Sequence, residues 1–297
     1  MLPAAAADRV SVNRQPEIRR AGFARGLRWL LFGAELLGRG LRTLVPVAGL
    51  LLLVMMIQIV PLIGPAVLAL LTPLLTAGLL AAFHKAARSE SAGPGVLFAG
   101  WVDERSRIPL LLLGLWLMAG FLLAVLLLGL WIAPQVEETA LEAAMDDPES
   151  MVRLLMGLDL AGGVVLAGLI VGVVLGGLYF AVPLVYFAHW PAGVSLFRSL
   201  KALVVNWAAF LGLFVAMLVL FMGLFVIVGV LAMILGLALG PAGEFLIRII
   251  SILTGLFVQV LLAGAQYVAF REVFVWPESE DGSPESGDVG DSGQIEV

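Results

Sequence analysis

Residues 44–85 read LVPVAGLLLLVMMIQIVPLIGPAVLALLTPLLTAGLLAAFHK, and this stretch decides the class of fold. No charged side chain occurs in it before its last residue, Lys85. Pro61 and Pro65 divide it into two apolar runs, at 44–60 and 66–83. Because a helix needs about 20 mostly apolar residues to cross the hydrocarbon layer, each run predicts one crossing. The segment between the prolines predicts a tight turn.

Four more apolar runs follow, at residues 108–133, 160–189, 206–239 and 245–270. The chain therefore predicts an all-α integral membrane protein with six transmembrane helices. The run at 206–239 is longer than one span requires, so we expect its helix to be broken near Gly229 or Gly236. Hydrophobic residues make up 61% of the chain and charged residues 13%, which excludes a water-soluble globular domain.

The charges predict an orientation. In a six-span topology, all of the 17 Lys and Arg residues except Arg153 and Arg248 fall on one side. The loop at 135–157, on the other side, carries six acidic residues. Since cationic loops stay in the cytoplasm, we expect a multi-pass protein of the bacterial inner membrane with both termini cytoplasmic.

Composition divides the chain into three parts. Residues 1–21 predict a basic, flexible N-terminal segment, and residues 22–276 predict the six-helix transmembrane domain. Residues 277–297 contain seven acidic residues and no basic ones. Such a segment cannot bury enough apolar surface to offset its ordering entropy, so we expect a disordered acidic tail.

A weak internal repeat suggests three tandem units, each a cytoplasmic amphipathic helix followed by a transmembrane hairpin. A Leu-Phe pair precedes a span at 31–32, at 97–98 and at 196–197, and the last two pairs share an upstream Gly-Val. The alternative is three unrelated inner loops that are each amphipathic.

The first amphipathic segment, around residues 23–42, has apolar residues at alternating steps of four and three. We expect this helix to lie flat on the membrane, with Phe23, Leu27, Trp29 and Leu30 in the acyl boundary. Anionic lipid headgroups would then be its partners, since each nearby cation contributes about 1 kcal/mol. Alternatively, the Arg residues only orient insertion, or the acidic tail competes with lipid for them. These cations are Arg14, Arg19, Arg20, Arg25, Arg28, Arg39 and Arg42.

Polar side chains within the spans are few: Gln58, Gln259 and Gln266, with Asn206 near an inner end. Hydrogen bonds between helices are the favoured interpretation, and a polar lining for a lipid or small-molecule pathway is the alternative. His84 and His189 each end a span on the cytoplasmic side. Interfacial anchoring is favoured for them over a shared metal or phosphate site, because two imidazoles alone make a poor metal site.

No residue is predicted to be catalytic, to bind a cofactor or to hold a metal, and the chain contains no cysteine. We therefore do not expect an enzyme. The favoured hypothesis is a scaffold or envelope-homeostasis protein that contacts other membrane proteins through the stripe of Gly168, Gly172 and Gly176. The alternative is a passive carrier or flippase-like pathway for a lipid or apolar solute, with a cavity lined by Gln58, Gln259 or Gln266. No nucleic-acid partner is expected.

Several stretches resemble a proteobacterial family of polytopic inner-membrane proteins. They read YFAVPLVYFAHW at 179–190, SLFRSLK at 195–201, TPLLTAG at 72–78 and QYVAFREVF at 266–274. The resemblance implies a six-helix membrane protein and carries over no catalytic or binding residue. A looser similarity exists to the membrane domain of some glycerophosphodiester phosphodiesterases. Lipid chemistry is not implied, because the chain has no catalytic domain of that kind.

Overall fold

The structure is a computed structural model that describes residues 16–61, 63–136, 147, 152 and 156–275. The predicted basic segment up to residue 15, most of the loop at 135–157 and the acidic tail lie outside the described residues. The helices are α1 (Phe23–Arg39), α2 (Leu41–Met55), α3 (Ile63–Ala87), α4 (Ala99–Val102), α5 (Glu104–Ile132), α6 (Ala161–Ala188), α7 (Ala192–Val205), α8 (Trp207–Leu239) and α9 (Pro241–Val273). Short 3₁₀ helices occupy Met56–Ile59, Pro94–Phe98 and Ala133–Gln135.

Six helical stretches of the described chain are long and apolar enough to cross a membrane. This finding confirms the predicted all-α, multi-pass class, by length and composition. The six stretches are Leu41–Ile59, Ile63–Ala87, Glu104–Gln135, Ala161–Ala188, Trp207–Leu239 and Pro241–Val273.

The fifth span corrects the prediction of a broken helix. α8 continues through Gly229 and Gly236, and the chain turns only at Gly240, whose φ of 55° suits glycine. α9 begins at the next residue, and Gly243 has no room for a side chain against the carbonyl of Leu235. Glycine within a helix costs only about 1 kcal/mol relative to alanine, so two glycines do not break so apolar a helix.

The bundle has two ends that differ in what they hold. The basic end holds α1, α4, α7 and the two strands, and the far end holds the turns at Pro61 and Gly240. At the basic end, β1 (Glu17–Ile18) pairs antiparallel with β2 (Phe274–Val275). α1 packs on α8 and α9, the segment of residues 94–102 packs on α2 and α3, and α7 packs on α6.

Glycines make these contacts close. A Cβ added at Gly26 of α1 would overlap the carbonyl of Ala209 in α8, and one at Gly78 of α3 would overlap the carbonyl of Leu97. Gly33 similarly lies against the backbone of Ala265 in α9. These backbone approaches are typical of helices that associate through small residues.

The packing of α1 corrects the prediction for Trp29 and Leu30, which were expected in lipid. Trp29 is 0% exposed and Leu30 is 7% exposed, because both are covered by protein. The Trp29 indole Nε1 donates to Glu272 Oε2 of α9 at 3.0 Å, and Arg25 lies 3.4 Å from the same carboxylate. α8 and α9 thus cover this part of the apolar face, whereas Phe23 is 42% exposed.

Candidate intramembrane binding site

A cavity of about 510 Å³ lies midway along the spans, between α3, α5, α6, α8 and α9. Most of its wall is aliphatic, and no Asp, Glu, Lys, Arg or His lines it. The wall suits an apolar ligand with a small polar part. Its polar side chains are Thr72, Thr76, Tyr179, Gln259 and Gln266.

Gln266 closes a gap in the hydrogen bonds of α6. Pro183 lies inside α6 and has no N–H, so the carbonyl of Tyr179 one turn earlier loses its helical donor. The Gln266 side-chain Nε2 donates to that carbonyl at 2.6 Å. The prediction of an interhelical hydrogen bond is therefore confirmed for Gln266, which also lines the cavity.

The Ser199 hydroxyl of α7 also bonds to the backbone of α6. It accepts from the backbone N–H of Phe180 at 2.9 Å and donates to the carbonyl of Gly176 at 3.0 Å. Side chains of α7 and α9 thus form hydrogen bonds with the backbone of residues 176–183, beside the cavity.

Tyr179 carries an unsatisfied hydroxyl at this site. Its ring packs edge-on against Phe180 and Phe210, at centroid distances of 5.0 and 5.1 Å. Its hydroxyl oxygen is buried and has no hydrogen-bond partner among the described residues. Leaving such a group unpaired costs about 1–3 kcal/mol.

A second cavity, of about 490 Å³, lies nearer the far end between α2 and α9. Gln58 and Gln259 line it, and Gly255 and Gln259 border both cavities. The three glutamines predicted as a possible pathway lining are thus distributed along two adjacent cavities. Asn206 is not part of either lining, because it accepts from the backbone N–H of Ala21 at 2.6 Å and donates to Ala202.

Towards the basic end, an aromatic layer follows the central cavity. We use this name for Phe180, Phe187, Tyr267, Phe270 and Phe274. Neighbouring rings in the layer lie 5.3–6.3 Å apart, and Phe187 stacks on Phe270. Tyr179 and Gln266 immediately precede Phe180 and Tyr267 in the chain, so the layer begins where the polar wall of the cavity ends.

The two histidines do not form a shared site. His84 Nδ1 lies 3.0 Å from the Tyr267 hydroxyl, whereas His189 Nε2 lies 3.2 Å from Asp103 Oδ2. Among the described residues, no group of three or more His, Cys, Asp or Glu side chains is placed to hold a metal.

Asp103 belongs to a small polar group at the start of α5. Burial alone would raise the pKa of Asp103. Hydrogen bonds from the Ser106 hydroxyl and the Arg105 backbone N–H, together with the nearby His189, lower the pKa by more than burial raises it. The net pKa of Asp103 therefore lies below its ordinary value of 3.8. The Ser106 hydroxyl oxygen also lies 3.2 Å from the carbonyl oxygen of Val185, so the group joins α5 to α6.

Sequence reasoning identified Gln259 and Gln266 but missed Tyr179 and Ser199. The sequence does contain a signal for Tyr179. It lies four residues before Pro183 within a span, so its carbonyl has no helical donor. The signal for Ser199 was weaker, since nothing in an amphipathic segment shows which hydroxyl inserts into a neighbouring helix.

Comparison of the chain with protein-family models, curated proteins and solved structures finds no match. The resemblance to a family of polytopic inner-membrane proteins therefore stays a prediction. The function of the cavity has to be argued from its own geometry.

Proposed function

We propose that this protein binds a lipid or another apolar solute within the bilayer and acts as a passive carrier for it. The observation that carries the proposal is the central cavity, with Gln259 and Gln266 in its otherwise mostly aliphatic wall. Placing polar groups in hydrocarbon costs free energy. Their convergence on an aliphatic cavity supports a ligand whose polar part contacts them while its chain contacts leucine and valine.

Passive action is proposed because the cavity wall has no carboxylate and no basic side chain. Coupling to protons or sodium ions usually depends on such groups inside the membrane. Pro183 within α6 lies beside the cavity and is compatible with a carrier, since prolines in membrane helices are tolerated where neighbouring side chains satisfy the freed backbone groups. We also propose that the protein is not an enzyme.

We further propose that the chain is built from three tandem units arranged in a closed circle. The support is the order of contacts: each basic-end segment packs on the hairpin that precedes it. α1 has no preceding hairpin and packs on the last one, formed by α8 and α9, while β1 pairs with β2.

The proposed location is the bacterial inner membrane, with the basic end in the cytoplasm and anionic lipids as partners. The support is the distribution of Lys and Arg. Because the chain has no cysteine, single cysteines at Met145 and in the tail can be labelled cleanly in intact cells. Labelling of residue 145 only from the outside is expected, and cytoplasmic labelling there would refute this topology.

A scaffold that contacts other membrane proteins is the second candidate. Its support is the open space beside Gly168 and Gly172, where an added Cβ meets nothing within 4 Å. An apolar groove of about 400 Å³ between α5 and α6 lies close by, bordered by Leu169 and Val173. Gly176, the third glycine of the stripe, is covered by Leu203 and Ser199 of α7, so a partner helix could use only Gly168 and Gly172.

The carrier proposal is tested with the full-length protein reconstituted in liposomes containing a fluorescent phospholipid. The rate at which that lipid crosses the bilayer is measured by quenching the outer leaflet. Gly255→Trp should lower the rate at least fivefold, because Gly255 borders both cavities and has free space for a side chain. Gly223→Trp is the matched control, since Gly223 also has free space but lines neither cavity.

Equal rates for wild type, Gly255→Trp and protein-free liposomes would refute the carrier. If a membrane protein instead co-purifies with wild type and is lost on Gly172→Trp, the scaffold is supported. Since Gly172 lines neither cavity, that variant leaves the carrier rate unchanged if transport depends on the cavities.

A further inference from the structure

A cleft opens at the basic end where α3 and α9 finish. It consists of two adjoining hollows, of about 420 and 620 Å³, and His84, Tyr267 and Arg271 border both. One hollow is walled by Phe187, Phe270 and Phe274 of the aromatic layer. The other is bordered by Arg88. The cleft is separate from the central cavity, with which it shares no lining residue.

The polar groups of the cleft converge. Tyr267 is only 4% exposed, and its hydroxyl lies 3.0 Å from His84 Nδ1 at the floor. The Arg271 guanidinium lies beside the same hydroxyl. Arg88 and Arg271 are exposed at the rim. A guanidinium presents several N–H donors in a plane that matches the oxygens of a phosphate group.

The carboxylates near the cleft do not neutralise the Arg271 guanidinium, which is therefore available to bind a ligand. Glu272 borders one hollow, but its carboxylate is held on the side of α1 by Trp29 and Arg25. Glu90 lies 3.9 Å from Arg88 in an exposed pair, which contributes little. Within the described residues, Arg271 forms no salt bridge with a carboxylate.

We propose that this cleft binds a phosphate group, held by Arg88, Arg271 and the Tyr267 hydroxyl. The aromatic wall contacts the apolar part of the same molecule. The cleft lies at the ends of two candidate spans, at the depth of lipid headgroups. A phosphate-bearing lipid therefore fits the combination of a basic rim and an aromatic wall. The proposal does not depend on the central cavity or on transport.

The test uses the full-length protein, purified in detergent and freed of lipid, with binding measured by native mass spectrometry. The probes are dioleoyl phosphatidic acid and dioleoylglycerol, which differ only in the phosphate. Wild type should bind phosphatidic acid at least tenfold more tightly than dioleoylglycerol. The double variant Arg88→Gln/Arg271→Gln should lose at least tenfold of its affinity for phosphatidic acid.

Arg105→Gln/Arg107→Gln is the matched control, since both residues lie at the basic end, are at least partly exposed and line neither hollow. It should change the affinity less than twofold. Tyr267→Phe keeps the buried ring and should lose about threefold, which tests the site even if the double arginine variant does not fold. Inorganic phosphate at millimolar concentration distinguishes the sources of the ligand. Full competition identifies a soluble phosphate compound, and no competition identifies a lipid headgroup.

Two outcomes would overturn the proposal. One is equal binding of phosphatidic acid and dioleoylglycerol by the wild type. The other is an equal loss of affinity in both double arginine variants, because general surface charge would then explain the binding.

Discussion

The two halves of α9 differ in what surrounds them. Residues 258–273, towards the basic end, are mostly buried, whereas towards the far end Phe245, Ile252 and Phe257 are 45–65% exposed. α8 has the same asymmetry, since its buried residues all lie between Ala209 and Met217. The apolar character is similar in both halves. What differs is whether protein or lipid is the neighbour.

The glycine contacts do not follow this division. At the basic end, Gly78 and Gly212 lie against backbone carbonyls of other elements. Nearer the far end, Gly114 lies against the carbonyl of Leu70, whereas Gly172 has nothing within 4 Å of an added Cβ. A membrane helix gains little from hydrophobicity when it leaves lipid for protein, so close packing has to provide the stability. Close glycine contacts therefore stabilise the bundle at both ends, and the difference between the ends lies in how many larger side chains are buried.

The largest expected effect on stability comes from removing a tryptophan at the basic end, compared with removing one at the far end. Trp29→Ala should lower the free energy of unfolding by about 4 kcal/mol, because it removes a fully buried ring and its hydrogen bond to Glu272. Trp131→Ala at the far end should cost about 1–2 kcal/mol, since Trp131 is 40% exposed. Reversible unfolding in mixed SDS micelles measures both. Equal losses would show that the two ends are packed alike.

The second expected effect compares two glycines. Gly78→Ala should lower the free energy of unfolding by about 3 kcal/mol, because its methyl group would overlap the carbonyl of Leu97. Gly172→Ala should raise it by about 0.5–1 kcal/mol, since alanine is the better helix former and the space is open. The same unfolding assay applies. A loss of stability at Gly172 would mean that its face is already covered.

Span length and hydropathy predicted most of the fold. The turn at Pro61 follows from the pair of prolines. The six helices long enough to cross the membrane follow from the thickness of the hydrocarbon layer. The continuity of α8 does not, because an apolar run longer than one span is equally compatible with a break. The position of α1 was also beyond prediction, since an amphipathic pattern marks an apolar face but not what covers it.

The candidate site was predictable only in part. Gln259 and Gln266 are conspicuous as amides within apolar runs. Their place in one cavity with Tyr179 depends on the rotation of α6 and α9 about their axes. In a membrane, faces that contact lipid and faces that contact protein have similar composition. Hydropathy therefore does not fix that rotation.

The third expected effect compares two tyrosine hydroxyls. Tyr179→Phe should raise the free energy of unfolding of the lipid-free protein by about 1 kcal/mol, because it removes a buried hydroxyl without a partner. Tyr267→Phe, within the closely packed end, should lower it by about 1 kcal/mol, since it leaves His84 without its partner. A loss of stability for Tyr179→Phe would show that its hydroxyl is already satisfied by the protein.

The smallest expected effect is a pH dependence at the basic end, where Asp103 accepts from the N–H of Arg105 and caps α5. Because the pKa of Asp103 is lower in the folded protein than its ordinary value of 3.8, the unfolded chain binds the proton more readily. The contribution of Asp103 to stability is therefore complete above about pH 4 and is lost as the pH falls through its folded pKa. It should be below about 1 kcal/mol, since the side chain is partly exposed. Melting curves of wild type and Asp103→Asn should differ at pH 6, and the difference should be smaller at pH 3. The control for losing a capping carboxylate is Asp159→Asn at the far end, where Asp159 accepts from the N–H of Ala161 in α6. A difference between wild type and Asp103→Asn that is the same at both pH values would contradict the lowered pKa.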